Sequence, residues 1–150
     1  MEQFLLLMLR HIAEQLPELS LIDEDTGQLE TGEDTYPVTF PCVLVGNIET
    51  DWNDLGYSGA QQGTGTVVVL LAIDCYDDTH IGSMQEEAII NRQQTASKLY
   101  RSLQCEQFTD NIGPLVRVKS RDYTLPGCIK VYEQMYTFEV QDNSAMDRNQ

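Results

Sequence analysis

The hydrophobic positions change period along the chain, and the changes mark out its elements. Near the start, Leu5, Met8, Leu9, Ile12 and Leu16 recur at i, i+3, i+4, i+7 and i+11, one face of an α-helix. Phe4, Leu6 and Leu7 lie off that stripe, so the helix is apolar on more than one side. The second side faces either the interior of the domain or another protein. Pro17 cannot continue a helix, which places its end near Leu16.

Residues 38–48 are rich in β-branched and apolar side chains behind Pro37 and Pro41, which predicts an edge strand or a strand beginning at Cys42. Residues 66–76 (TVVVLLAIDCY) are apolar at both parities through Ile73. That pattern predicts a central strand covered on both faces, one by a helix and the other by the second helix or a neighbouring subunit. Met84, Ala88, Arg92, Ala96, Leu99 and Leu103, with Ile89, Thr95 and Tyr100 beside them, form a second helical stripe over 84–103. Ser83 with Glu86 makes a capping box, while Glu86, Glu87, Lys98 and Arg101 suit the helix dipole. Residues 115–119 alternate like a strand, and Pro126-Gly127 marks a turn. In the closing strand 129–140, Tyr132, Tyr136, Phe138 and Val140 share one parity and Ile129, Val131 and Met135 the other.

The order helix, strand, strand, helix, strand, strand predicts a single α+β domain over 1–150. Its sheet is mostly antiparallel, of about four to five strands, with two main helices packed on it. Three segments read as non-regular. Residues 17–36 form an acidic loop, with a short strand possible at 19–22; eight acids and no Lys or Arg fall within 14–34. That stretch is either a solvated connector or a docking element. Residues 51–66 carry Gly56, Gly59, Gly63 and Gly65 and predict a long mobile hairpin loop. Residues 142–150 read as a frayed polar tail. Trp52 and Tyr57 on the glycine-rich loop are candidate interface anchors, with Phe4 and Leu7 on the first helix as a second choice. The alternative for each is ordinary packing; for Trp52, that means packing on the sheet edge.

Charge changes the picture. With 24 acidic and 9 basic residues the net charge is −15, which argues against binding DNA, RNA or anionic membranes. The run Phe4–Leu9 is short and flanked by Glu2 and Arg10, so it reads as a mature helix in a cytoplasmic product rather than a signal peptide or membrane span. Cys42, Cys75, Cys105 and Cys128 form no CxxC pair, and Cys42, Cys75 and Cys128 sit in or beside apolar runs; the cysteines read as buried small hydrophobes in a reducing compartment.

Candidate chemistry is sparse. GTGT at 63–66 precedes a strand instead of opening a helix and lacks the GK[ST] ending of a phosphate-binding loop. Asp77, Asp78 and His80 could hold a metal or serve a small enzyme or ligand-binding site, but as near-consecutive residues they equally shape a turn and cap the following helix. Asp51 and Asp54 flank Trp52 without a predicted pocket to shift their pKa values. No GxSxG or recognisable nucleophile–base pairing is present.

The succession of an N-terminal helix, the FPCVLVGNIE strand, a glycine-containing loop leading into TVVVLLAIDCYDD, the NRQQTASKLYRSL helix and the DYTLPGCIKVYEQMYTFEV turn and strand resembles the tail terminator (tail completion, or minor tail) proteins of long-tailed bacteriophages and prophages. The resemblance implies a tail-terminator-like α+β fold and a structural, non-enzymatic role. It implies a ring, commonly a hexamer, that caps the tail tube, stops its growth and joins the tail to the head-side connector. Its partners would be further copies of itself, the tail tube protein and the connector protein; no cofactor, catalytic residue or membrane is involved. Such a protein would act in the bacterial host cytoplasm during assembly and end in the virion tail. A neck or head–tail joining component is a near variant. The acidic stretch 23–34 is longer than a minimal member needs, and marks either a docking embellishment or another family.

Overall fold

The computed structural model describes residues 1–75, 81–82 and 86–149. In chain order these form α1 (Phe4–Gln15), β1 (Leu21–Glu24), β2 (Cys42–Asp54), β3 (Gln61–Asp74), α2 (Glu86–Leu103), β4 (Val116–Leu125) and β5 (Ile129–Asp142). A 3₁₀ turn over Ser144–Asn149 follows, where a frayed tail was expected. The five strands make one sheet in the order β1-β2-β3-β5-β4. Only the β1–β2 pair is parallel, and the other three pairs are antiparallel. The α+β class, the mostly antiparallel sheet and the two helices match the sequence pattern. The extra element is β1, displaced by two residues from the strand expected at 19–22.

β3 is the central strand, and its two parities feed two cores. Val67, Val69 and Leu71 face the helices, together with Val43, Val45, Tyr136, Phe138 and Val140 of the neighbouring strands. α1 fills this layer with Phe4, Met8, Ile12 and Leu16, and α2 with Leu99 and Leu103. The buried stripe of α1 is thus rotated from the expected one. Phe4, placed off the stripe by periodicity, is 1% exposed. Its ring lies 4.9 Å from that of Phe138 and 6.1 Å from that of Phe108. Leu5 and Leu9 are only partly buried at the margin of this core.

On the opposite face lie Cys42, Leu44, Val68, Leu70, Ala72, Ile129 and Val131. Neither a helix nor a second subunit is needed to cover them. Leu29, Tyr36, Val38 and Phe40, all from the segment between β1 and β2, pack there instead. The Tyr36 hydroxyl donates to the Pro126 carbonyl oxygen at 2.8 Å, pinning this segment to the β4–β5 turn. The acidic region expected as an open loop is therefore a lid on the sheet: its acids other than Asp25 are exposed, and its apolar side chains face the core.

The glycine-rich loop is corrected too. Pairing between β2 and β3 runs without interruption from Glu49↔Thr66 to Asp54↔Gln61, leaving only residues 55–60 as a turn. Gly63 and Gly65 are strand residues on the helix-facing side. A Cβ on Gly63 would lie 3.0 Å from Trp52 Cε3 and 2.8 Å from the Asp51 carbonyl oxygen. A Cβ on Gly65 would run into the Phe138 ring. The glycines are there because aromatic rings from adjacent strands occupy the space a side chain would take.

Candidate interaction surfaces

The four residues singled out as interface candidates separate. Phe4 is inside the subunit, held by the aromatic contacts above, and offers nothing to a partner. Trp52 is not on a mobile loop; it sits in β2, partly buried against the helix-side core, as in its sheet-packing alternative. Leu7 is half-buried on α1, beside Leu6, which is 46% exposed. Only Tyr57 is fully presented, at 96% exposure, on the β2–β3 turn.

That turn is well fixed despite its exposure. Leu55 N–H donates to the Ala60 carbonyl oxygen at 2.9 Å, and the Ser58 hydroxyl donates to the Leu55 carbonyl oxygen at 3.0 Å. Tyr57 adopts φ 60 between Gly56 at 71 and Gly59 at 94, a succession of left-handed residues that reverses the chain tightly. Leu55 and Tyr57 thus form an exposed apolar tip on a rigid base. Beside it a cavity of about 330 Å³ is lined by residues including Asp54, Gln61, Asp142 and Ser144. Hydrogen bonds from the Ser144 side chain and backbone hold the Asp142 carboxyl below its usual pKa.

A second cleft, of about 470 Å³, opens between α2 and the β4–β5 hairpin. The Arg117 guanidinium lies 3.7 Å from the centre of the Tyr100 ring at its wall. Gln134 closes the floor: it is 4% exposed, its Nε2 donates to the Ala96 carbonyl oxygen at 3.2 Å, and its Oε1 accepts from the Tyr136 hydroxyl. Burial pushes the Tyr136 phenol well above its usual range. Two ion pairs brace the hairpin, Arg121 Nε to Glu133 at 2.8 Å and Lys130 Nζ to Asp122 at 2.7 Å. The Glu133 carboxylate, by its hydrogen bond first and its charge second, raises the Arg121 pKa. The sequence reading did not single out this basic and aromatic cluster. Arg117, Lys119 and Arg121 at alternate positions of a strand were the available signal.

Asp77, Asp78, His80 and the Ser83 cap lie outside the described residues. His11 has a structural role: its Nε2 is 2.7 Å from the Ser102 carbonyl oxygen, joining α1 to the end of α2. Among the described residues no group of three His, Cys, Asp or Glu is placed to hold a metal ion. Among them, no helix is long and apolar enough to cross a membrane. All four cysteines are free thiols; Cys42 is buried, and burial raises its thiol pKa to about 11. Cys105, after the end of α2, and Cys128, on the β4–β5 turn, were expected buried but are exposed, and Cys75 is only partly buried.

No family model matches the chain, and no curated protein does. Its fold is similar to that of a chain in the solved virion of a native gene transfer agent (GTA) particle. The TM-score is 0.61 over 92% of both chains, at 10% sequence identity. At that identity the likeness is one of fold. It extends over nearly the whole domain.

Proposed function

We propose that this chain is a structural protein of a phage-like particle: a tail-terminator subunit that forms a ring on the end of the tail tube, stops its growth and joins the tail to the head-side connector. The observation that carries the reading is the whole-length fold likeness to a chain of a virion particle. The element order quoted above supports it from the sequence side. The role calls for no catalysis and no cofactor. The partners are further copies of this chain, most simply six in the ring, the tail tube protein and the connector protein. The protein acts in the host cytoplasm during assembly and remains in the tail.

The surfaces suit this division of labour. The rigid apolar tip at Leu55 and Tyr57 is the contact offered to a partner above or below the ring, and the exposed side of α1 at Leu6 and Leu7 is a second. The acidic surface disfavours adhesion of DNA passing through a tail channel. The test is a tube assembly reaction with purified tail tube protein. Adding this chain should stop elongation and leave a ring visible by electron microscopy at one tube end. Tubes that grow on unchanged, with no density at either end, would refute the reading.

A further inference from the structure

The chain's few cations are segregated. Arg10 is the only Lys or Arg before Arg92, and seven of the nine lie between Arg92 and Lys130. The sheet order turns this into a lateral polarity. β1 and β2, with Asp23, Glu24, Glu49 and Asp51, stand at one side, and β4, with Arg117, Lys119 and Arg121, at the other. The helices follow the same division. α1 packs on β1 and β2, while α2, bearing Lys98 and Arg101, is tied to β5 through Gln134 and to β4 through Arg117 over Tyr100.

No strand lies beyond β1 or β4 among the described residues; the Arg117 N–H of β4 donates to Gln104 Oε1 at 2.9 Å, and β4 presents an edge beyond that point. β4 is exposed along most of its length, with Val116 at 43% and Val118 at 56%. A register shift between Arg117 and Lys119 breaks its regularity. A bulge and a lysine are devices that keep an edge from pairing indiscriminately. They still allow a partner of matching shape and opposite charge.

The registers give that partner a form. Following them across the sheet, Leu21 is level with Cys42, Ala72, Val131 and Tyr123, and Asp23 is level with Leu44, Leu70, Glu133 and Arg121. A second copy set beside the first at the same height, with the same sheet face outward, therefore brings Arg121 opposite Asp23. One pleat on, just past the end of β1, where the Asp25 N–H still donates to the Val45 carbonyl oxygen at 2.8 Å, it brings Lys119 level with Asp25. These residues share the lid-side face of the sheet, because Asp23 pairs with Leu44 and Lys119 with Met135. The directions agree as well: β4 runs antiparallel to β5, and the alternation through β3 and β2 leaves β4 antiparallel to β1. Lys119, Asp23 and Asp25 form no ion pair within the subunit among the described residues. Two-fold pairing through either edge would instead set like charges against each other.

We propose that the β4 edge of one copy docks antiparallel on the β1 edge of the next, continuing the sheet from subunit to subunit with Arg121 against Asp23 and Lys119 against Asp25. This contact is heterologous and has no rise along the strands, the condition under which it closes into a ring instead of a filament. It rests on the ring reading above and names the surfaces that build the ring.

Charge exchange tests it. One variant carries Lys119→Glu and Arg121→Glu, the other Asp23→Lys and Asp25→Lys; the matched pair Lys119→Glu and Asp25→Lys alone serves if a double variant fails to fold. Self-association is read by sedimentation and native mass spectrometry over a range of salt, and capping on tail tubes. The wild type should associate less as salt rises. Each variant alone should associate at least roughly a hundredfold more weakly, because like charges then face each other. Mixing the two should restore mixed rings and capping. Variants that assemble and cap like the wild type, or a mixture that recovers nothing, would overturn the edge contact while leaving the ring intact. A wild type that neither associates nor caps would overturn the ring reading, and this contact with it.

Discussion

Gly65→Ala should destabilise the fold, although alanine in place of an ordinary strand glycine stabilises it. In an open strand, removing the glycine's freedom in the unfolded chain gains about 0.5–1 kcal/mol. Gly65 has an unexceptional φ, so no backbone strain opposes the change. The obstacle is Phe138, its register partner on β5, whose ring occupies the space the new methyl would take. The ring cannot retreat outward, because Phe4 of α1 sits 4.9 Å from it, and Phe138 itself is 2% exposed. Overpacking of this kind costs about 1–3 kcal/mol, a melting temperature lower by roughly 2–12 °C for a domain of this size. Thermal unfolding followed by circular dichroism measures it. Phe138→Leu should relieve the clash, so the double variant should be more stable than the sum of the single effects by about 1 kcal/mol. A stabilised Gly65→Ala, or strict additivity with Phe138→Leu, would refute the account of why glycine occupies this strand.

Three further outcomes follow from the same geometry. In the native protein Cys105 and Cys128 should react with iodoacetamide at neutral pH and Cys42 should not, until denaturant exposes it; peptide mass spectrometry reads the pattern. The Tyr136 phenol, raised chiefly by burial, contributes stability that is present below the ordinary tyrosine value of about 10 and lost as the pH rises above it. Tyr136→Phe should therefore flatten the alkaline fall of the unfolding free energy, while costing about 1 kcal/mol at neutral pH because Gln134 Oε1 loses its donor. Tyr57→Ala should leave stability within about 0.5 kcal/mol, since the side chain is almost wholly exposed, yet weaken tube capping; unaltered capping would remove the hairpin tip from the docking surface.

The parts of the fold written in local periodicity were legible in the sequence: α2, the start of β2 at Cys42, the two-faced β3 and the parity of β5. The failures share one cause, the mutual dependence of residues far apart in the chain. Four glycines within 56–65 read as a loop, because nothing local says that Phe138, more than seventy positions later, needs the room over Gly65. Tyr36, Val38 and Phe40 alternate and so read as the approach to a strand, and Leu29 lies alone among acids, so the lid they form over the sheet was invisible. Phe4 fell off the apparent stripe because Leu5 and Leu9 took its place in the count, yet the aromatic cluster with Phe108 and Phe138 sets the helix rotation. The charge segregation was countable in the sequence, but it acquired a direction only once the strand order put β1 and β4 at opposite edges.

The lid changes what kind of assembly the chain supports. A central strand apolar on both faces had suggested that the second helix or a neighbouring subunit must cover the second face, the latter by the large hydrophobic interface of an obligate oligomer. With the second face covered by the chain's own segment, the subunit has no unfilled core to share. What remains at its sides are sheet edges, with Arg121 and Lys119 on one and Asp23, followed by Asp25 just beyond the strand, on the other. Contacts of that composition are polar, sensitive to salt and weak one at a time, since exposed ion pairs contribute about 0–1 kcal/mol each. Closing a ring makes every subunit engage both edges, and a tube end that binds several copies side by side raises their effective concentration. Under the proposed capping role, subunits held together in this way would associate weakly in solution and close most readily where a finished tube end gathers them.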